Sequence, residues 1–234
     1  MHQYPFICVF LVYPYFVRFN TRISILNNTK DSSDNPVCTF PWQSLLLQLV
    51  FSKSHLLLIM QRESIANLLI QNHQRFTNYL QAMPDHTFVF APTGKWSAGQ
   101  QLDHLVRSVS PVVLACKLPG FLLKLLFGKP NRPGRTYDEL VAKYKAKLLQ
   151  GGRASGRFIP AAITPLQKQE RIDALTGLVA KLAERVNLMP DEKLDGILLP
   201  HPLLGKLTLR EMMYFTIYHV QHHKEGIERS LVST

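Results

Sequence analysis

From Met60 onward, apolar residues recur at helical spacing between polar breaks rich in proline and glycine. Ile65, Leu68, Leu69, Phe76 and Leu80 share one stripe, which predicts a helix over 62–82 that ends at Pro84-Asp85-His86. Ser97 stands three residues before Gln100, a capping box that opens a second helix reaching about 117. Its apolar face is Leu102, Leu105, Val106, Val109 and Val113, with Pro111 a candidate kink. Pro119 to Gly128 reads as an apolar turn or short helix, and Lys129 to Gly134 as a loop. Thr136 and Glu139 form another capping box, for a helix to about 150 that turns Tyr137, Leu140, Val141, Tyr144 and Leu148 inward. After a glycine-bearing loop over 151–160, Thr164, Pro165 and Gln167 open a helix to about 187 with Leu175, Leu178, Val179, Leu182 and Val186 inward. Residues 189–207 read as a loop, and Thr208 with Glu211 caps a last helix to about 231. No useful strand-period run follows residue 60. The pattern therefore predicts an all-α fold: a four-helix bundle with an extra short helix in one long connection.

Residues 1–59 have a different character. Tyr4 to Val17 is apolar and aromatic but is broken by Pro5 and Pro14, and it is shorter than a membrane-spanning helix. No positive leader region or clear cleavage site accompanies it. The expectation is two parts: an N-terminal extension over 1–59 that lies outside the folded domain, or precedes a true start at Met60, and a helical domain over 60–234. A membrane-associating leader is the rival reading for 1–59.

Composition narrows the classes. Hydrophobic residues make up 46% and charged residues 18%, which suits a packed core and excludes a disordered polyelectrolyte. Cys8, Cys38 and Cys116 are odd in number and far apart, so no disulfide framework or zinc ribbon follows, and a cytoplasmic, reducing setting is expected. The net charge is +11, and residues 122–157 alone hold nine basic residues against Asp138 and Glu139. That run has few interleaved aromatics and no nucleic-acid motif, so it reads as a solvated face, and no nucleic-acid partner is expected.

Candidate chemistry lies in the histidines. His219 and His223 are four residues apart, on one helical face with Met212, Phe215, Thr216 and Gly226. Such a pair is structural, hydrogen-bonded or metal-binding; protonating both rings would set like charges close together at a desolvated place. Val220 follows His219, so this is not the His-Glu zinc-protease pattern with its built-in base. His222 lies about 60° round the helix from His219. His104 lies off the apolar stripe, on the side of Gln101 and Ser108, as a histidine facing a polar cavity would.

These residues carry a resemblance. Trp96-Ser97, Asp103-His104-Leu105, Tyr218-His219-Val220-Gln221-His222-His223, the segment 201–208 and the stretch 127–133 are similar to the DinB-like (DinB/YfiT-like) superfamily, in a branch of the DUF1569 type. The resemblance covers residues 60–234. It implies an up-down-down-up bundle and a divalent metal, zinc or nickel, on His104, His219 and His223. It also implies a small-molecule substrate, a homodimer, and a thiol-dependent S-transferase or a related hydrolase or isomerase using a low-molecular-weight thiol. Asp103, Tyr218 and His222 are candidate assistants, and Arg132 and Arg135 are candidates for holding an acidic cosubstrate. The alternative class is a non-catalytic metal-binding stress or interaction protein. No membrane partner is expected for 60–234.

Overall fold

The computed structural model describes residues 59–232. The predicted extension 1–59 thus lies, but for its last residue, outside the described residues. Helices dominate: α1 (Arg62–Gln81), α2 (Asp85–Val89), α3 (Ala98–Lys117), α4 (Gly120–Phe127), α5 (Tyr137–Leu149), α6 (Lys168–Leu188), α7 (Asp191–Gly196) and α8 (Leu209–Val232). A short antiparallel hairpin, β1 (Leu198–His201) and β2 (Gly205–Thr208), precedes α8.

The four long helices α1, α3, α6 and α8 form the bundle, and cross-links give their directions. Asn72 Nδ2 donates to the Ile217 carbonyl, the Tyr214 hydroxyl accepts from the Met60 amide, and the Lys224 ammonium lies over the Tyr79 ring, so α1 and α8 run parallel. Gln81 bonds Gln169 while Arg62 bonds the Met189 carbonyl, which makes α1 and α6 antiparallel. His104 meets His219 while Gln101 lies beside Gly226, so α3 and α8 are antiparallel too. The order is up, down, down, up, and the segment from α4 through α5 is the long return between α3 and α6.

Helix starts follow the sequence closely. Both halves of the Ser97–Gln100, Thr136–Glu139 and Thr208–Glu211 capping boxes are formed. α3 runs through Pro111 without a break in its span. Gly99 is required at its second position: a Cβ there would meet the buried Phe88 ring at 2.9 Å. The core joins Ile65, Leu69, Phe76 and Leu80 of α1 to Leu102, Leu105 and Val109 of α3, Leu175 and Leu182 of α6, and Met213 and Tyr214 of α8. Every residue from Leu209 to Val220 is buried, so α8 is the central helix.

The expected loop over 189–207 is where the reading departs from the structure. Asp191–Gly196 is a short helix and 198–208 is a hairpin. Buried Arg210 ties the short helix down, with Nε 2.7 Å from Asp195 and Nη2 2.5 Å from Asp191. Strands of four residues are too short for a period-two signal. Among the described residues no single helix is long and apolar enough to cross a membrane.

Candidate metal centre

Three imidazoles converge between α3 and α8. His104 comes from α3, and His219 and His223 lie one turn apart on α8; all three are buried. The Nε2 atoms of His104 and His219 are 3.3 Å apart, those of His219 and His223 are 3.0 Å apart, and one donor atom from each ring lies within 4.8 Å of the others.

The hydrogen bonds fix two tautomers. His104 Nδ1–H donates to the Phe158 carbonyl at 2.6 Å. His223 Nδ1–H donates to Gln101 Oε1 at 2.9 Å, and Gln101 Nε2 donates in turn to the Trp96 carbonyl, which orients the amide. A neutral ring protonated at Nδ1 carries only a lone pair at Nε2. The Ser108 hydroxyl, 2.8 Å from the His104 carbonyl, donates there. At most one proton, on His219 Nε2, is therefore available to three nitrogens that face one another.

Protonation does not resolve the clash of lone pairs. Burial depresses the basicity of His104, and burial plus the neighbouring histidines holds His219 and His223 well below the ordinary histidine value. A divalent ion does resolve it. Nitrogens about 2.1 Å from one ion, at an angle of roughly 90–110°, lie roughly 3.0–3.4 Å apart, the range of the two separations in the structure. The donor set fits zinc or another imidazole-binding metal, and a neutral triad leaves the ion its full charge and room for further ligands.

The surroundings position the triad. The Trp96 ring lies 5.1 Å from His104 and stacks on His223 at 6.5 Å. Phe215 stacks on His219 at 4.5 Å, and Tyr144 of α5 meets the same ring edge-on at 6.1 Å. Asp103 is buried and accepts from Arg107 Nε at 2.5 Å and from the Ala161 amide at 2.9 Å. It thereby pins to α3 the loop that carries the Phe158 carbonyl, and so acts on His104 through the backbone.

The other candidates separate. His222 borders the cavity that reaches the triad, with its ring 5.3 Å from that of His223. Tyr218 does not border that cavity; its ring packs on Tyr144 and under the Lys145 ammonium. Arg132 and Arg135 are also turned away from the cavity. Arg132 grips both oxygens of Glu211 at 2.7 and 2.8 Å, and Arg135 reaches the same carboxylate through its amide and guanidinium. The reason is the capping box: Glu211, only 1% exposed, needs cations once Thr208 has drawn it inside. Part of the basic run thus serves the fold.

Several contributors had little or no signal in the sequence. The Phe158 carbonyl is backbone and has none. Gln101 was legible as a same-side neighbour of His104, but not as a hydrogen-bond partner of His223. His201 accepts at Nδ1 from the amides of Leu203 and Leu204, which leaves its proton on Nε2, and it borders the same cavity.

Fold and site together define a helical-bundle protein with a buried three-imidazole cluster. The family profile of the DinB superfamily matches residues 68–227, and the chain belongs to that superfamily. The match identifies the superfamily and not a branch within it. No curated protein matches the chain. Among solved structures it is similar to YfiT from Bacillus subtilis, described as "a probable metal-dependent hydrolase with an unusual four-helix bundle topology". That likeness has 18% identity and a TM-score of 0.48, and it covers 73% of this chain and 87% of the other.

Proposed function

We propose that the protein is a divalent-metal-dependent enzyme in which His104, His219 and His223 hold the ion. The most suitable reaction is thiol-dependent group transfer, or a related hydrolysis or isomerisation. The observation that carries the reading is the convergence of three Nε2 atoms with at most one proton among them. Held by His104, His219 and His223, a divalent ion would supply a Lewis acid and would bring proton loss from water or a thiol into the neutral range.

The chain's own residues do the rest. Phe158 and Gln101 lock the two tautomers, so neither ring must reorient during turnover. Trp96, Phe215 and Tyr144 pack around the rings and give the cavity an aromatic wall beside them. His222, depressed in basicity chiefly by burial, is neutral at neutral pH and borders the cavity as a base for a departing proton.

The test is turnover by the full chain, loaded with zinc or nickel, on a panel of low-molecular-weight thiols and electrophiles. The reading expects thiol-dependent product with the wild type and at least about a hundredfold loss with His219→Ala. Equal rates for the two proteins would refute it.

A further inference from the structure

The cavity that reaches the triad is long and largely apolar, and among the described residues its charged lining is of one sign. It encloses about 910 Å³, near the upper end of the range for small-molecule sites. His104 and Leu118 both border it. They are fourteen positions apart along α3, a run of about 21 Å at the helical rise. Histidines and Ser108 occupy one end. Leu114 and Leu118 at the end of α3, with Leu123, Leu126 and Phe127 of α4, form the other. Helix α4 turns from α3 by 118°, which gives that end its wall.

Among the described residues the charged lining is Lys95, Arg153, Arg157 and Arg229, with no aspartate or glutamate. Arg229 is engaged with Glu225; the other three have no carboxylate partner among the described residues. The Arg157 guanidinium lies over the Phe158 ring at 5.1 Å, and the Phe158 carbonyl is the one that holds His104. Lys95 adjoins Trp96, which packs on His104. Arg157 therefore sits at the histidine end, and Lys95, Arg153 and Arg157 are exposed cations at the cavity's rim.

We propose that this cavity takes an amphiphilic acid. Its long apolar body lies along α3, and its anionic group is held by Arg157 near the triad, with Lys95 and Arg153 as the further cations of the rim. Polarity decides the class. A wholly polar ligand would leave its amides unpaired against leucines. A neutral oil would leave the cations unused, whereas a carboxylate gains charge-assisted hydrogen bonds from a guanidinium. As a statement about substrate, the inference rests on the triad being the reacting centre; as a statement about binding, it is tested without turnover.

Titration calorimetry of the full chain with decanoate, decanol and acetate is the experiment. Expected are one decanoate per chain, weaker decanol and no measurable acetate. Arg153→Gln/Arg157→Gln weakens decanoate about tenfold and leaves decanol unchanged. Ala115→Phe, which fills part of the aliphatic end of the cavity, weakens decanoate and decanol alike, with circular dichroism confirming the fold. No saturable decanoate binding, or equal decanoate affinity for the wild type and the double variant, overturns the proposal. So does binding that vanishes in His219→Ala but survives the double arginine variant, since the acid is then held at the triad. Decanoate binding by a protein that retains no metal would sustain this proposal while removing the metal reading.

Discussion

Helix α8 carries two buried polar centres that solve opposite problems. At its start, Glu211 receives donors from Arg132, Arg135 and Thr208, so one buried anion is fully answered within the chain. Two turns on, His219 and His223 meet His104 at three nitrogens with at most one proton among them, and no cation among the described residues answers them. A centre complete by itself belongs to the fold. A centre that only an added cation completes belongs to function.

The largest effect that sharpens this contrast is metal-dependent stability. A free divalent ion about a thousandfold above its dissociation constant should stabilise the wild type by about 4 kcal/mol and leave His219→Ala unmoved, read by denaturant unfolding. Equal shifts in both proteins would erase the distinction between the two centres.

Next, Glu211→Ala should cost about 3 kcal/mol, with or without metal, because it strands two arginines beside a buried cap. Burial alone would raise the Glu211 carboxyl, but the bonds from Arg132 and the Arg135 and Thr208 amides outweigh that and depress it. Its contribution is therefore present above the ordinary carboxylate value and is lost as pH falls through the depressed one.

Histidine 73 gives a metal-free control. Burial lowers it to about 4, while its Nδ1–H donates to the Leu69 carbonyl. Below the unfolded value of 6.5, the unfolded chain takes up a proton that the folded chain refuses. Stability should then fall as pH drops from 6.5 towards 4, by up to about 3 kcal/mol. His73→Leu should make that slope shallower in unfolding measured across the range, with His201 and the triad histidines supplying the rest in the same direction; an unchanged slope would assign it wholly to them. Smallest is Ser97→Ala, expected to cost about 1 kcal/mol for the lost cap at the start of α3. A much larger loss, accompanied by reduced metal affinity, would show that this cap also sets the position of His104.

Much of the bundle was legible because its signals are local. Capping boxes at Ser97, Thr136 and Thr208, and stripes such as Leu175 to Val186, announce helices within a few residues. The hairpin over 198–208 was not, since its pairing is a property of two four-residue segments and a turn. The triad was half legible. His219 and His223 share a face by spacing, whereas the approach of His104 depends on how α3 crosses α8. Its off-stripe position marked it as facing something polar, and the structure shows that to be the other two rings and the Phe158 carbonyl. The ion pairs of Arg132 and Arg135 were hidden because Glu211 is 79 and 76 positions away in the chain.

The central claim is that the three Nε2 atoms are a cation's ligands. Elemental analysis of the purified full chain, wild type against His219→Ala, tests it most directly. The account predicts about one zinc or nickel per wild-type chain and none in the variant; equal metal content in the two, or none in a wild type incubated with either ion, would contradict it.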